Sequence, residues 1–369
     1  MRFQEVDRLP FWADWLGPWK RWQGEGLPIG ADMDNDRFRS WCLGFFGFEG
    51  MYSAFWGTPR VPVNIGLCPG FEAETLEETP LYRIHRQSNG VTVRQFKDPG
   101  GSLISTQFLE YPIKGRDDWK RLRDEYLDPD APGRYPERSQ WEEMKKTWKC
   151  RDYVISIDGG SFYGFPRDWI GPENLSFLVY DDPGLVYEMM DYLADFYIHV
   201  LHRALDEVDV DFAMFWEDMC YNAGPLISPA MFREFLLPNY KKVTAFLVEH
   251  GVELSWVDCD GNIEALIPLW LEGGVRGFYP LEVASGMDAG KLRKQYGQEI
   301  VMWGNVDKRA LTEGKEAIDA EMARLAPVVE AGGFIPLVDH GVPDDVPYQS
   351  YLYYLAQRKK LADRSWRPV

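Results

Sequence analysis

Residues 254–282 read LSWVDCDGNIEALIPLWLEGGVRGFYPLE. A short apolar run, Leu254–Val257, ends in a polar turn; an amphipathic helix over Ile263–Glu272 follows, and Val275–Tyr279 forms a second apolar run. Strands that are apolar on both faces belong in the middle of a parallel sheet, and the helix between two of them is the crossover that parallel pairing requires. The same unit repeats outward. Upstream lie the runs Tyr153–Ile157 and Phe212–Trp216, with helices over Pro183–Val208 and Pro229–His250; downstream, Ile300–Trp303 and Phe334–Val338 flank a helix over Gly314–Ala331. This many strand–helix units predicts an α/β protein built as a closed (β/α)8 TIM barrel, with the remaining strands before or around residue 150.

The front of the chain reads differently. LYRIHRQSNGVTVRQFKDPGGSLISTQF (residues 81–108) alternates apolar and polar residues around Asn89-Gly90 and Pro99-Gly100-Gly101, which are hairpin signals. An N-terminal antiparallel β-hairpin subdomain is therefore expected within residues 1–115, and the barrel within 116–369. The 369 residues carry 15% aromatic side chains, which excludes low-complexity and disordered classes. A balance of 58 acidic to 40 basic residues gives a net charge of −18, which opposes binding to nucleic acid or anionic membrane. The opening MRFQEVDRLPFWADW has no uninterrupted apolar run, so a cytoplasmic protein is expected, and the five scattered cysteines fit reduced thiols.

In a barrel of this type chemistry sits where the chain leaves the C-terminal ends of the strands. Polar residues gather at those points: Asp158 after the first run, Glu217-Asp218 after FAMFW, Asp258 and Asp260 after LSWV, Glu282, Asn305 and Asp307, and Asp339-His340-Gly341 after FIPLV. Simpler roles compete. Asp258, Asp260 or Asn262 can cap the following helix, Glu217-Asp218 can be solvated loop acids, and Asn305 and Asp307 can brace a turn. Among the five histidines, His199 and His202 share a helix without an HExxH pattern and are assigned to the surface or core. His250 suits a helix C-terminus, and His85 suits hairpin packing. That leaves His340 as the histidine placed for chemistry. Glu217, Asp258, Asp260 and His340 together make an oxygen-rich ligand set with one imidazole, suited to zinc or a harder ion. Trp216, Asn305 and Tyr163 are the expected substrate-binding residues, with Trp56 and Phe162 as further candidate walls.

The stretches GPLISPAMFREFLLPNYKKV, DGNIEALIPLWLEGGVRGFYPLE, VMWGNVDKRAL and GGFIPLVDHGVPDDVPYQSY resemble the uroporphyrinogen decarboxylase superfamily, which includes zinc methyltransferases acting with methyl-corrinoid proteins. The resemblance implies the barrel and two reactions. Decarboxylases of that family carry an arginine-rich N-terminal loop near RQAGRY; PFWADWLGPWKRWQ and DRFRSW do not match it, whereas His340-Gly341 matches the late HG motif. The thiol methyltransferases hold zinc through an HxC pair and a later Cys, and this chain has Asp258 and Asp260 at the pair and His340 at the late position. Oxygen-rich ligation favours an oxygen over a sulfur substrate.

The expected function is thus a metal-dependent methyltransferase moving a methyl group between an oxygen-containing small molecule and a separate corrinoid protein. His340, Asp258 and Glu217 would be its catalytic groups. No DxHxxG cobalt-binding signature is present, so cobalamin would arrive only on that partner. The alternative is a cofactor-free carboxy-lyase of porphyrin metabolism, whose substrate carboxylates would need Arg37, Arg39, Arg60 or Arg167. A binding protein that kept only the scaffold is disfavoured, because burying several carboxylates without purpose is costly. Decarboxylases of the superfamily are commonly homodimers, and no feature of the sequence fixes oligomeric state.

Overall fold

A computed structural model of the chain describes residues 3, 8–30, 32–51, 59–97 and 103–367. The strands used below are β1 (Trp12–Ala13), β2 (Gly50–Met51), β3 (Glu74–Glu78), β4 (Tyr82–Arg86), β5 (Thr92–Lys97), β6 (Leu103–Glu110), β7 (Ser156–Gly160), β8 (Phe212–Trp216), β9 (Ser255–Asp258), β10 (Gly277–Tyr279), β11 (Val301–Val306) and β12 (Phe334–Val338). The helices are α1 (Gly164–Ile170), α2 (Pro183–Glu207), α3 (Leu237–Glu249), α4 (Lys315–Ala331) and α5 (Tyr348–Ala362).

Strands β7 to β12 pair in chain order as one parallel run, each joined to the next by helical connections. This is the α/β barrel arrangement expected from the repeated unit. The first apolar run is shifted: the strand covers Ser156–Gly160, while Tyr153 and Val154 are exposed at its entrance. The arc between β12 and β7 is occupied by the front of the chain. Arg60 bridges Ser156 in parallel, β1 pairs in parallel with β2, and the Asp14 carboxylate accepts from the Val338 N–H at 2.9 Å.

Side-chain alternation sorts the strands into two layers. Phe212, Met214, Trp256, Tyr279, Val301, Trp303, Ile335 and Leu337 pack with Trp12 in one cluster inside the barrel, with Trp256 stacked on Trp303. Their neighbours Ala213, Phe215, Val257, Phe278, Met302, Phe334 and Val338 join the larger cluster under the helices. Trp12 within the inner cluster makes the N-terminal segment part of the barrel's filling.

The helical stretch from Pro229 to Glu249 runs as expected but widens at Phe232–Leu236, where Pro238 has no N–H to give to the preceding turn. A buried ion pair fastens the chain ends: Arg358 on α5 donates to Asp14 at 2.9 Å, and Tyr351 and Tyr354 donate to the same carboxylate.

Strands β3 to β6 form a four-stranded antiparallel sheet, in the expected region. Gly90, at φ 85°, turns the chain between β4 and β5. The other hairpin signal, Pro99-Gly100-Gly101, lies outside the described residues. Gln87, Asn89, Thr106 and Phe108 of this sheet and its turn line a cavity of about 870 Å³ over the C-terminal end of the barrel. No helix among the described residues is long and apolar enough to cross a membrane.

Candidate active site

The parallel ladder continues past the ends of the strands and holds the polar residues in register. Glu217 N–H donates to the Asp258 carbonyl, Cys259 N–H to that of Tyr279, and Asp339 N–H to that of Val306, each at 2.9 Å. Backbone strain gathers at the same level. Of the six non-glycine residues with positive φ among the described residues, four lie at these strand ends: Asp218 (40°), Leu281 (58°), Asn305 (57°) and His340 (148°). Such conformations persist where surrounding contacts over-determine them, which is common at functional sites.

Alternation then decides which acids face the barrel mouth. Asp218 keeps the parity of Phe212, Met214 and Trp216, and Asp258 and Asp260 keep that of Trp256. Carboxylate oxygens of Asp218, Asp258 and Asp260 lie within 4.8 Å of one another. His340 Nε2 is 3.5 Å from Asp260 Oδ2, and the imidazole packs against Trp15 with ring centroids 5.2 Å apart. Asp218, Asp260 and Glu282 line the cavity with Arg167, Trp216, Tyr221 and Cys220.

Three like charges so close are held at a cost. Burial, then the charges of Asp218 and Asp260, pushes the Asp258 carboxyl well above the usual range. Asp260 is raised to about 7 by burial, Asp218 and Glu282, against the opposing Lys308. Burial raises Asp218 as well, with Arg167 opposing, and Asp339 rises to about 6 for the same first reason. His340 is lowered by burial and by Lys308, so its imidazole is neutral at pH 7 and offers a lone pair. The balancing cations are few. Arg167 donates to the Asp218 carbonyl at 2.6 Å, and Lys308 sits 3.1 Å from Glu282. Among the described residues no hydrogen-bond donor reaches the Asp258 carboxylate.

A divalent cation fits this donor set. Three clustered carboxylates and a neutral imidazole match zinc, manganese or magnesium ligation, and a cation among them would remove the repulsion that raises their pKa values. The ligand residues differ from expectation at one position. Glu217 has the opposite parity and is fully buried; its carboxylate accepts from the N–H groups of Phe162, Tyr163 and Gly164 at 2.9, 2.6 and 3.0 Å, from Ser161 Oγ at 3.2 Å, and from the Tyr240 hydroxyl. It closes the N-terminus of α1, and the structure sets it apart from Asp258, Asp260 and His340. Asp218 stands in its stead.

The expected substrate contacts divide in the same way. Trp216 lines the cavity, with Arg167 over its ring. Asn305 is fully buried and does not: its amide accepts from Ala289 N–H and Arg324 and donates to the Leu281 and Met287 carbonyls, so it braces two loops. Tyr163 is buried beneath the floor, its hydroxyl pushed up to about 12 by burial. Phe162 packs on Tyr197 and Tyr240 in the outer layer, and Trp56 lies outside the described residues. Of the arginines considered for carboxylate binding, Arg167 alone lines the cavity; Arg37 pairs with Asp32 and Asp34, Arg39 with Asp36, and Arg60 with Asp158.

The strands and their acidic mouth define an α/β-barrel protein with a polar site at the C-terminal face. The sequence profile of uroporphyrinogen decarboxylase (URO-D) matches residues 169–360, and the chain belongs to that family. It is similar to the uroporphyrinogen decarboxylase of Rhodococcus erythropolis, 32% identical over 186 residues covering 47% of this chain and 48% of the relative. The enzyme of Actinobacillus pleuropneumoniae is 23% identical over 209 residues, 55% and 53% of the two chains. The chain thus spans about half the length of the curated relatives it matches. A solved structure described as a methyltransferase from Methanosarcina mazei shares the fold, with a TM-score of 0.59, 16% identity, and coverage of 97% of this chain and 95% of that one.

Proposed function

We propose that the chain is a metal-dependent methyltransferase moving a methyl group between an oxygen-containing small molecule and a separate corrinoid protein. The observation that carries this reading is the cluster of Asp218, Asp258 and Asp260, whose carboxylate oxygens are close enough to share one ion, with His340 Nε2 3.5 Å from Asp260. A divalent ion held there would act as a Lewis acid on the substrate oxygen and make it a better leaving group. The chain's own groups supply the rest. Trp216, Tyr221 and Phe108 give the cavity aromatic walls that hold a flat apolar body and exclude water. Lys308 reaches the cavity wall at Glu282, 3.1 Å away, so its ammonium can deliver a proton to an oxygen that has lost its methyl group. Arg167, paired with Asp168, donates to the Asp218 carbonyl and lies over the Trp216 ring, and so holds both in place.

The test is methyl transfer from a methoxylated aromatic such as guaiacol to free cob(I)alamin, with and without added zinc. Support is metal-dependent demethylation that Asp258→Asn abolishes. Family membership favours one second reading, carbon dioxide release from uroporphyrinogen, and turnover of that substrate without metal would overturn the first. The charge at the mouth speaks against it: Asp168, Asp218, Asp260 and Glu282 line the cavity against Arg167, where a polycarboxylate needs several cations.

A further inference from the structure

A second constellation lies at the other end of the barrel. His202 and Asp206 are one turn apart near the C-terminus of α2, and His250 follows the last turn of α3. From each of these helix ends the chain enters the next strand, β8 or β9, at its N-terminal edge, so the three residues are opposite the mouth.

His202 Nδ1 is 3.0 Å from Asp206 Oδ2, His250 Nε2 is 3.5 Å from Asp206 Oδ1, and the two imidazole centroids are 5.4 Å apart. One ligand atom from each residue lies within 4.8 Å of the others. The His250 ring has a fixed orientation. Its Nδ1 is 2.8 Å from the Phe246 carbonyl, which can only accept, so Nδ1 carries a hydrogen and Nε2 is the nitrogen turned toward Asp206. A lone pair on Nε2 facing a carboxylate is repulsive unless a proton or a metal ion lies between them. A ring N–H given to a backbone carbonyl is also how metal-binding histidines are oriented. Phe246 packs under the ring at 4.4 Å and holds its plane. Among the described residues, Asp206 has no other hydrogen-bond or ion-pair partner.

We propose that His202, Asp206 and His250 form a divalent transition-metal site that staples α2 to α3, with two imidazoles and one carboxylate as ligands and a remaining position for water. Two nitrogens and one oxygen favour zinc, nickel or copper over magnesium or calcium. His202 and Asp206 are more than half exposed, so an ion enters from solvent and plays no part in reactions at the mouth.

The experiment uses the full chain, stripped with EDTA and titrated with zinc chloride, in wild type and in an Asp258→Asn/Asp260→Asn background that weakens the mouth. The proposal expects that background to bind about one zinc and to melt a few degrees higher with it. His202→Ala, and separately Asp206→Asn, should lower that affinity at least about 100-fold while leaving the metal-free melting temperature within about 2 °C, because both side chains face solvent. His250→Ala is the third ligand test. Zinc binding and thermal response unchanged in His202→Ala and Asp206→Asn would overturn the site, as would the absence of any zinc uptake in the Asp258→Asn/Asp260→Asn background. None of these outcomes depends on methyl transfer.

Discussion

Replacing Asp260 by Asn should make the metal-free protein more stable at pH 8, and by roughly 40% as much at pH 5. Asp260 rises from an ordinary 3.8 to about 7 in the folded chain because it is buried beside Asp218 and Glu282. Between those values the folded state holds a proton that the unfolded chain has released. Stability present below about pH 4 is therefore lost as the pH climbs through about 7. Taken at full value the rise corresponds to a ceiling of about 4 kcal/mol. Because 36% of the Asp260 side chain is exposed, solvent screening reduces the expected gain from Asp260→Asn to about 1–2 kcal/mol at pH 8. The contact with His340 at 3.5 Å is too long to offset this. Urea unfolding with EDTA at pH 5 and pH 8 measures both arms. With saturating zinc the order should reverse at pH 8, since wild type then gains binding energy that the variant lacks. An Asp260→Asn protein that is less stable than wild type at pH 8 in EDTA would refute the reasoning that these carboxylates are held together against their own repulsion.

Three further outcomes separate framework from site. Glu217→Ala leaves three buried N–H groups of the α1 entrance without an acceptor and should cost about 3–5 kcal/mol in urea unfolding, while zinc content per folded molecule stays the same. Asn305→Ala removes four hydrogen bonds of a buried amide and should cost about 2–4 kcal/mol by the same measurement. Arg358→Ala strands the buried Asp14 carboxylate between β1, β12 and α5, and a loss of about 3–5 kcal/mol is expected; a loss below about 1 kcal/mol would mean that the chain ends are not fastened there.

The barrel was readable because its strands are short apolar runs and its helices carry a matching periodicity; FAMFW and FIPLV occupy their strands to the residue. The first run was displaced toward Gly160 because apolar Tyr153 and Val154 are exposed at the strand's entrance, where hydrophobicity alone gives no boundary. Site residues were readable where alternation was applied. Asp258 and Asp260 straddle Cys259, which turns into the core, and they face the mouth together. The same count along Phe212, Met214 and Trp216 selects Asp218 and turns Glu217 toward the helices, a signal present in the sequence but outweighed there by Glu217's place directly after the strand. Asn305 shares the parity of Trp303, yet its positive φ and four partners draw it into the loops, which no periodicity reveals. The pairing of His202 with His250 was hidden for a different reason: they meet only when α2 packs beside α3, and neither helix alone carries a ligand motif.

The central claim is that Asp218, Asp258, Asp260 and His340 hold one divalent ion at the mouth of the barrel. Anomalous diffraction at the zinc absorption edge, on crystals of the zinc-loaded chain, tests it most directly. The account predicts a peak about 2.0–2.2 Å from ligand atoms of at least three of these four residues, absent in crystals of Asp258→Asn/Asp260→Asn. A zinc-saturated crystal with an ordered mouth and no anomalous peak among these side chains would contradict it.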